Sequence, residues 1–234
     1  MDKNDIKEYE QVEQSFYEDL LSQFKGDLVF YSATGSLARG DIIPKWSDID
    51  VIFVFKKWNT STFRNISTAL LNNKSSIKIG TTFYSVNEFN NRSNLDPKTF
   101  NALRFIADGL YKPRVCYKQV NITNPTDEVI EKVNAVEFSK NLHSFKREIL
   151  KGTVDSSEYI MFKTLTIMFK IMLLRKGVRL DGYKKIWKKA FTDFDLGEME
   201  IITPEIILES PQMKEARINV YINFLVWLEQ KSRI

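Results

Sequence analysis

Residues 31–55 read YSATGSLARGDIIPKWSDIDVIFVF and combine a glycine-serine turn with two aspartates that lie one residue apart. The stretch DIDVIFVF, residues 48–55, is rich in β-branched and aromatic residues and predicts a strand. Because side chains in a strand alternate between faces, Asp48 and Asp50 are expected on one face. The opposite face then carries Ile49, Val51, Phe53 and Phe55. Two neighbouring carboxylates repel each other unless a cation lies between them, so the stretch predicts a buried strand that holds a cation at its start.

Magnesium is the cation that best fits this pattern. Mg²⁺ is a hard ion that takes one or two carboxylates and completes its octahedron with phosphate oxygens and water. Gly35 allows the backbone to approach a phosphate, and the N–H group of Ser36, at the start of a predicted short helix, would face that anion. Arg39 adds a charge-assisted contact. These residues therefore fit a magnesium–nucleoside triphosphate complex in which Asp48 and Asp50 bind the metal.

The apolar periodicity of the chain changes near NITNPT, residues 121–126. Before this point, alternation and short apolar runs predict strands among helices, and after it the pattern predicts about four or five helices. The predicted strands are 27–33, 48–55, 76–84 and 113–118, and the predicted helices between them are 5–24, 61–72 and 97–109. The predicted fold class is therefore α+β, with a mixed β-sheet and flanking helices over residues 1–120 and a C-terminal α-helical bundle over residues 121–234. We expect two separate cores with a ligand cleft between them.

Composition excludes several classes of protein. No segment reaches the roughly 18 uninterrupted apolar residues of a membrane span, and the N-terminal residues include no apolar signal region, so we expect a soluble, cytoplasmic protein without a membrane partner. The single cysteine, Cys116, excludes an internal disulfide and a Cys-rich zinc site and is expected in the core. Net charge is +4, and the one local excess, KKIWKKA at residues 184–190, predicts a solvated helix face, with nucleic-acid contact as the less favoured alternative.

The combination of G-S-x-x-x-G with S-D-I-D-V-I, preceded by one apolar strand and continuing as another, resembles the nucleotidyltransferase superfamily. That superfamily includes DNA polymerase β, the aminoglycoside nucleotidyltransferases and the minimal nucleotidyltransferases. The residues that carry the resemblance are Gly35, Ser36, Ala38, Arg39, Gly40, Ser47, Asp48 and Asp50. The resemblance is close over residues 29–55 and extends by element order to about residue 118.

The resemblance implies that a nucleoside monophosphate passes from a nucleoside triphosphate, with ATP as the expected nucleotide, to an acceptor hydroxyl with release of pyrophosphate. The implied phosphate-binding residues are Gly35, Ser36, Arg39 and Ser47, and the implied metal ligands and catalytic residues are Asp48 and Asp50. In many members that modify small molecules, a helical second domain closes the cleft and shapes the acceptor pocket. Residues 125–234 would do so here.

The strand after the aspartate pair departs from the family pattern. Members usually have a third carboxylate on this strand, where in several cases it helps deprotonate the attacking hydroxyl. The buried face is marked by Ile77, Ile79 and Phe83, which leaves Lys78, Gly80, Thr82 and Tyr84 on the cleft face. The nearest acid is Glu88, beyond the strand, and Glu137 or Glu148 of the helical half is a further candidate base.

Three functions remain open at this point. The leading one is transfer to a hydroxyl of a small molecule, for instance an aminoglycoside or lincosamide antibiotic. The second is transfer to a tRNA end or a protein hydroxyl, for which the lysine run is the only indication. The third is a nucleotide-binding or protein-interaction module that has kept the fold and lost the base. The oligomeric state is not predicted.

Overall fold

A computed structural model describes residues 3–24, 26–44, 46–92, 95–151, 155–180, 182–196, 202–209 and 214–231. The chain divides into two units, Met1–Ile130 and Glu131–Ile234, each with its own internal contacts. The division falls within a helix, α6 (Asp127–Lys151). The sequence-based boundary at residues 120 and 121 lies in the segment that leads into this helix.

The first unit contains a four-stranded mixed sheet in the order β3-β2-β1-β4. Its strands are β1 (Leu28–Thr34), β2 (Ile49–Phe55), β3 (Ile79–Ser85) and β4 (Val115–Cys116). Strand β1 is antiparallel to both β2 and β4, whereas β2 and β3 are parallel. The predicted α+β class with a mixed sheet is confirmed.

The register of the sheet brings three strand ends together. Thr34 at the end of β1 pairs with Asp50 near the start of β2, and Asp50 pairs with Gly80 near the start of β3. The glycine-serine turn that follows β1 and the aspartates that open β2 therefore meet at one end of the sheet, although about a dozen residues separate them in the chain.

One face of the sheet is covered by α1 (Lys3–Gln23) and α3 (Thr60–Asn72). Burial of this apolar surface is the main driving force for packing. The buried side chains include Phe16, Leu20, Phe24, Tyr31, Ile49, Val51, Phe53, Phe55, Ile66 and Ala69. The ring centroids of Phe24 and Phe55 lie 4.4 Å apart, which ties the end of α1 to β2. The predicted apolar face of β2 is therefore confirmed as the core face.

The opposite face carries α4 (Val86–Asn91) and α5 (Pro97–Ala107). Phe89 of α4 is fully buried, and its ring lies 5.5 Å from Phe30 and 5.9 Å from Tyr84, measured between centroids. Helix α5 begins on Pro97, whose fixed φ suits the first helical position, and Asp96 caps it. This is the face on which Asp50 lies.

Strand β3 begins three residues later than the sequence predicted. Residues 76–78 belong instead to a loop held by short-range hydrogen bonds. Asn73 Oδ1 accepts from the Ser75 N–H at 3.0 Å, and Ser75 Oγ accepts from the Ile77 N–H at 3.1 Å. Such Asx and serine turns compete with a strand ladder for the same backbone groups.

Strand β4 lies within the predicted strand 113–118 and forms one edge of the sheet, but the expectation that Cys116 is a core residue is wrong. Cys116 is exposed. Val115 packs against the core cluster, and strand alternation turns the next side chain away from it.

The described part of the second unit is helical. It comprises most of α6, then α7 (Asp155–Arg175), α8 (Tyr183–Asp193), α9 (Pro204–Glu209) and α10 (Lys214–Lys231). Helix α7 supplies much of the core, where Phe169 contacts Trp187 and Phe224 at centroid distances of 5.1 and 5.0 Å. None of the helices in the described ranges is long and apolar enough to cross a membrane.

Candidate metal and phosphate site

The carboxylate of Asp50 lies between two glycines that belong to the neighbouring strand ends. A Cβ atom added to Gly35 would lie 2.7 Å from Asp50 Oδ2, and one added to Gly80 would lie 3.0 Å from Asp50 Oδ1. Gly35 also has φ of +67°, a left-handed conformation that residues with a side chain rarely adopt. Because glycine has no side chain, Gly35 and Gly80 leave the space in which the Asp50 carboxylate lies.

Asp48 approaches the same place from the residue before β2. Its Oδ2 lies 3.9 Å from the Cβ position of Gly80, close to the point that Asp50 Oδ1 also approaches. The two carboxylates thus share a side of the strand, as the alternation of side chains predicted. Asp50 is 8% exposed and Asp48 is half-buried.

Lys98, in the first turn of α5, brings a positive charge to this pair. Its ammonium donates a hydrogen bond to Asp50 Oδ1 and forms an ion pair with it. The side chain of Lys98 is 50% exposed, whereas that of Asp50 is 11% exposed. The sequence predicted a cation next to the aspartates but did not identify this residue, because the two lie 48 positions apart and meet only when α5 packs on the sheet.

The first turn of α5 is fixed by a buried hydrogen-bond network. Tyr84 donates to Asp96 Oδ2 at 2.6 Å, and Asp96 Oδ1 accepts from the Thr99 N–H at 3.0 Å. Burial, together with the hydrogen bond to Asp96, raises the pKa of Tyr84 to about 12. Burial opposes ionisation of Asp96, but the hydrogen bonds from Tyr84 and Thr99 outweigh it and lower the pKa of this carboxyl group. The network holds the helix end that presents Lys98.

Arg39 and Ser47 form hydrogen bonds that support the segments before and after the site. Arg39 ends the short helix α2 (Gly35–Arg39), and its guanidinium donates to Asp41 Oδ1 at 3.0 Å and to the Tyr111 hydroxyl at 3.1 Å. The Ser47 hydroxyl accepts from the Ile43 N–H at 2.8 Å and so shapes the loop that leads to Asp48. The structure thus places Gly35 beside Asp50, with Ser36 next in the chain, whereas the hydrogen bonds of Arg39 and Ser47 support the neighbouring segments.

Glu88 is not the missing third carboxylate. It lies in α4, where its carboxylate accepts from the Ser85 N–H at 2.8 Å and from Trp58 Nε1 at 2.7 Å. These hydrogen bonds lower its pKa, the one from the Ser85 backbone most of all. Ser85 ends β3 and Gly80 lies near its start, roughly 16 Å away at about 3.3 Å per residue. Glu88 therefore caps a helix at the far end of the strand.

The face of β3 on the side of Asp50 carries Gly80, Thr82 and Tyr84, as predicted. Throughout the described ranges, no group of three or more His, Cys, Asp or Glu side chains could hold a metal ion. Among the described residues, Asp48 and Asp50 therefore supply the carboxylates at this end of the sheet, and β3 supplies none.

Glu148 and two lysines of the run 184–190 have partners within the second unit. Glu148, 3% exposed, accepts from Lys151 Nζ at 2.9 Å. In the lysine run, Lys184 lies 3.3 Å from Glu205 and Lys189 lies 2.7 Å from Asp193. These ion pairs fit the solvated helix face that the sequence favoured.

The arrangement at the sheet end fits a magnesium ion bound together with phosphates. Two carboxylates converge without a soft ligand, and Mg²⁺ prefers such oxygen donors with its remaining positions left to water and phosphate. The two glycines keep the surroundings of Asp50 free of side chains, and Lys98 shows that Asp50 Oδ1 accepts a cation.

Comparison with known protein families agrees with this geometry. Residues 13–154 match a family model described as a nucleotidyltransferase domain. The match covers more than half of the 234 residues and includes the glycine-serine turn and both aspartates. A search of curated proteins finds no match.

Proposed function

The chain belongs to the nucleotidyltransferase domain family, and we propose that it transfers a nucleoside monophosphate from a nucleoside triphosphate to a hydroxyl of a small molecule, with release of pyrophosphate. ATP is the expected nucleotide and Mg²⁺ the expected metal. The observation that carries this proposal is the placement of the Asp50 carboxylate between Gly35 and Gly80, with Asp48 converging on the same point. A cytoplasmic location would supply both the nucleotide and the metal.

In this proposal Asp48 and Asp50 hold the metal ion, which when bound neutralises the negative charge of the phosphates. Gly35 and Ser36 follow β1 directly, and Gly35 lies beside Asp50, where the backbone of the turn can approach the triphosphate. Arg39 and Ser47 keep the turn and the loop in place. Positioning and charge neutralisation supply most of the acceleration in this kind of chemistry, and both need rigid strand ends.

The proton of the acceptor hydroxyl must go to a base other than an acid on β3. A well-placed general base contributes on the order of 10² to 10⁴ in rate, so an enzyme without one is slow but still active. Slow turnover of this kind is expected if the acceptor hydroxyl loses its proton to a solvent water.

A nucleotide-binding module without turnover is the second candidate. The composition of the β3 face, Gly80, Thr82 and Tyr84, favours it, because Tyr84 is engaged with Asp96 and neither of the others is acidic. Such a module would bind the metal and the triphosphate through the same residues but would release no pyrophosphate.

A thermal-shift screen of the four nucleoside triphosphates, each with and without Mg²⁺, tests the binding step. We expect a rise in the unfolding temperature only when metal and nucleotide are both present. Pyrophosphate release should then be measured with aminoglycosides, lincosamides, tRNA and an unfolded protein as acceptors. Release with a small molecule supports the proposal, release with tRNA or protein assigns the acceptor to a macromolecule, and binding without release supports the second candidate. The absence of any magnesium-dependent shift would contradict both.

A further inference from the structure

We propose that Lys98 is an internal counter-ion of the metal site, which neutralises Asp50 before the metal arrives and moves to the triphosphate when metal and nucleotide bind. This inference rests on the proposed function. It assigns to α5, an element outside the glycine-serine turn and the aspartate pair, a direct part in nucleotide binding.

The first support is the identity of the oxygen that Lys98 holds. Asp50 Oδ1 faces the Cβ position of Gly80 at 3.0 Å, and Asp48 Oδ2 faces the same position at 3.9 Å. Oδ1 is therefore the Asp50 oxygen closest to the point where the two carboxylates converge, and it is the one to which the ammonium of Lys98 donates. A metal ion held by Asp48 and Asp50 would compete with this ammonium for Oδ1.

The second support is the contrast between a fixed helix end and a movable side chain. The first turn of α5 is held by Asp96, which accepts from Tyr84 at 2.6 Å and from the Thr99 N–H at 3.0 Å. The side chain of Lys98 is half exposed and has a flexible four-carbon stem. Its ammonium can therefore leave Asp50 while α5 stays in place.

The third support is the charge of the site. The ammonium of Lys98 offsets the negative charge of Asp50, so this carboxylate attracts a divalent cation less than it would without the ion pair. Once displaced, the ammonium would remain next to the site, where it would donate charge-assisted hydrogen bonds to a bound triphosphate. Lys98 should thus weaken the binding of metal alone and strengthen the binding of metal with nucleotide.

Calorimetry on the full chain with the variant Lys98→Gln tests these opposite effects. With Mn²⁺ alone, we expect the variant to bind about fivefold more tightly than the wild type, because a partly exposed ion pair no longer competes. With Mn²⁺ and an ATP analogue that has a non-hydrolysable α–β bridge, we expect binding about fivefold weaker, because the phosphate contact is lost. Lys98→Arg keeps the charge and should restore both affinities towards the wild type.

Lys57→Gln is the matched control. Lys57 is exposed and lies just beyond the other end of β2, roughly 20 Å from Asp50 along the strand direction. It should change neither affinity. Affinities of Lys98→Gln that are both unchanged, or that both fall, would overturn the inference while the metal–nucleotide site itself stands. If the wild type binds neither Mn²⁺ nor the analogue, the proposed function fails and this inference fails with it.

Discussion

At the scale of single residues, glycines decide where the acidic pair can lie. Gly35 and Gly80 flank the Asp50 carboxylate at distances that a Cβ atom would not tolerate without movement. Gly35 has a further requirement, because its φ of +67° lies in the left-handed region. Gly35, which was expected to let the backbone approach a phosphate, thus also makes room for Asp50, the proposed metal ligand.

Gly35→Ala should therefore impair metal binding as well as stability, which is more than the backbone conformation alone explains. We expect a loss of about 1–2 kcal/mol in the free energy of unfolding from the left-handed φ, and in addition a loss of Mn²⁺ binding because Asp50 is pushed aside. Gly40→Ala is the control, since Gly40 has a φ of +69° and nothing within 4 Å of its Cβ position. Urea unfolding and Mn²⁺ calorimetry of both variants measure the difference. Equal effects on metal binding would contradict the steric role of Gly35.

A new acid on the cleft face of β3 should strengthen the metal site, but only at one of two positions. Thr82→Asp places a carboxylate one pleat further along the strand from Gly80, and we expect Mn²⁺ affinity to rise about threefold to tenfold. Gly80→Asp should fail to do so, because its Cβ would lie 3.0 Å from Asp50 Oδ1. Calorimetry with Mn²⁺ decides between them, and tighter binding by Gly80→Asp than by Thr82→Asp would show that the contact at Gly80 is unimportant.

At the scale of elements, α5 matters because its first turn presents Lys98 to Asp50. The turn is capped by Asp96 and tied to β3 by Tyr84, whose hydroxyl also lies 3.0 Å from Thr99 Oγ1. A helix end held by a buried tyrosine and an ionised cap is expected to lose order when either group changes its protonation state.

Tyr84→Phe should lower the free energy of unfolding near neutral pH by about 1–2 kcal/mol, because Asp96 loses a buried donor. The folded pKa of Tyr84 is about 12, above the ordinary value of 10.0, so its contribution is complete below pH 10 and is lost as the pH rises towards 12. The difference in stability between wild type and variant should shrink over that window. Tyr117→Phe, at an exposed position, should show no such difference at any pH.

The sequence predicted the strands nearest the site, because local residue patterns determine them. The run of Val, Ile and Phe in β2 predicted both its strand and its buried face, and the alternation around Ile79 and Phe83 predicted which side of β3 faces Asp50. The start of β3 was misplaced because Asn73 and Ser75 hold the preceding residues in a loop. Lys98 was not predicted, because its contact with Asp50 depends on how α5 packs on the sheet. No regular spacing in the sequence relates the two residues. Gly80 carried a weak signal, because a glycine inside a strand often marks a close approach.

At the scale of the whole molecule, the chain divides into two compact units. The core of the second unit contains an ion pair in addition to its aromatic cluster. Arg217, 1% exposed, donates to Glu158 through Nε at 2.6 Å and through a terminal nitrogen at 3.1 Å. A bidentate pair of this kind satisfies both charges in a place that water does not reach.

Arg217→Met should lower the free energy of unfolding by about 3–5 kcal/mol, because Glu158 would remain buried without its partner. The double variant Arg217→Met with Glu158→Met should recover most of this loss, since it removes both charges. Thermal and urea unfolding of the two variants measure the effect. A single variant as stable as the wild type would mean that the pair contributes nothing to the second core.

The central claim is that Asp48 and Asp50 bind the metal through which the nucleotide is held, and calorimetry with Mg²⁺ and the non-hydrolysable ATP analogue tests it most directly. We expect the wild type to bind the analogue in a manner that depends on magnesium. The double variant Asp48→Asn with Asp50→Asn should lose this binding while its circular dichroism remains that of the wild type, because the changes remove charge and leave the packing of the strand intact. Magnesium-dependent binding of equal strength in the double variant would contradict the account.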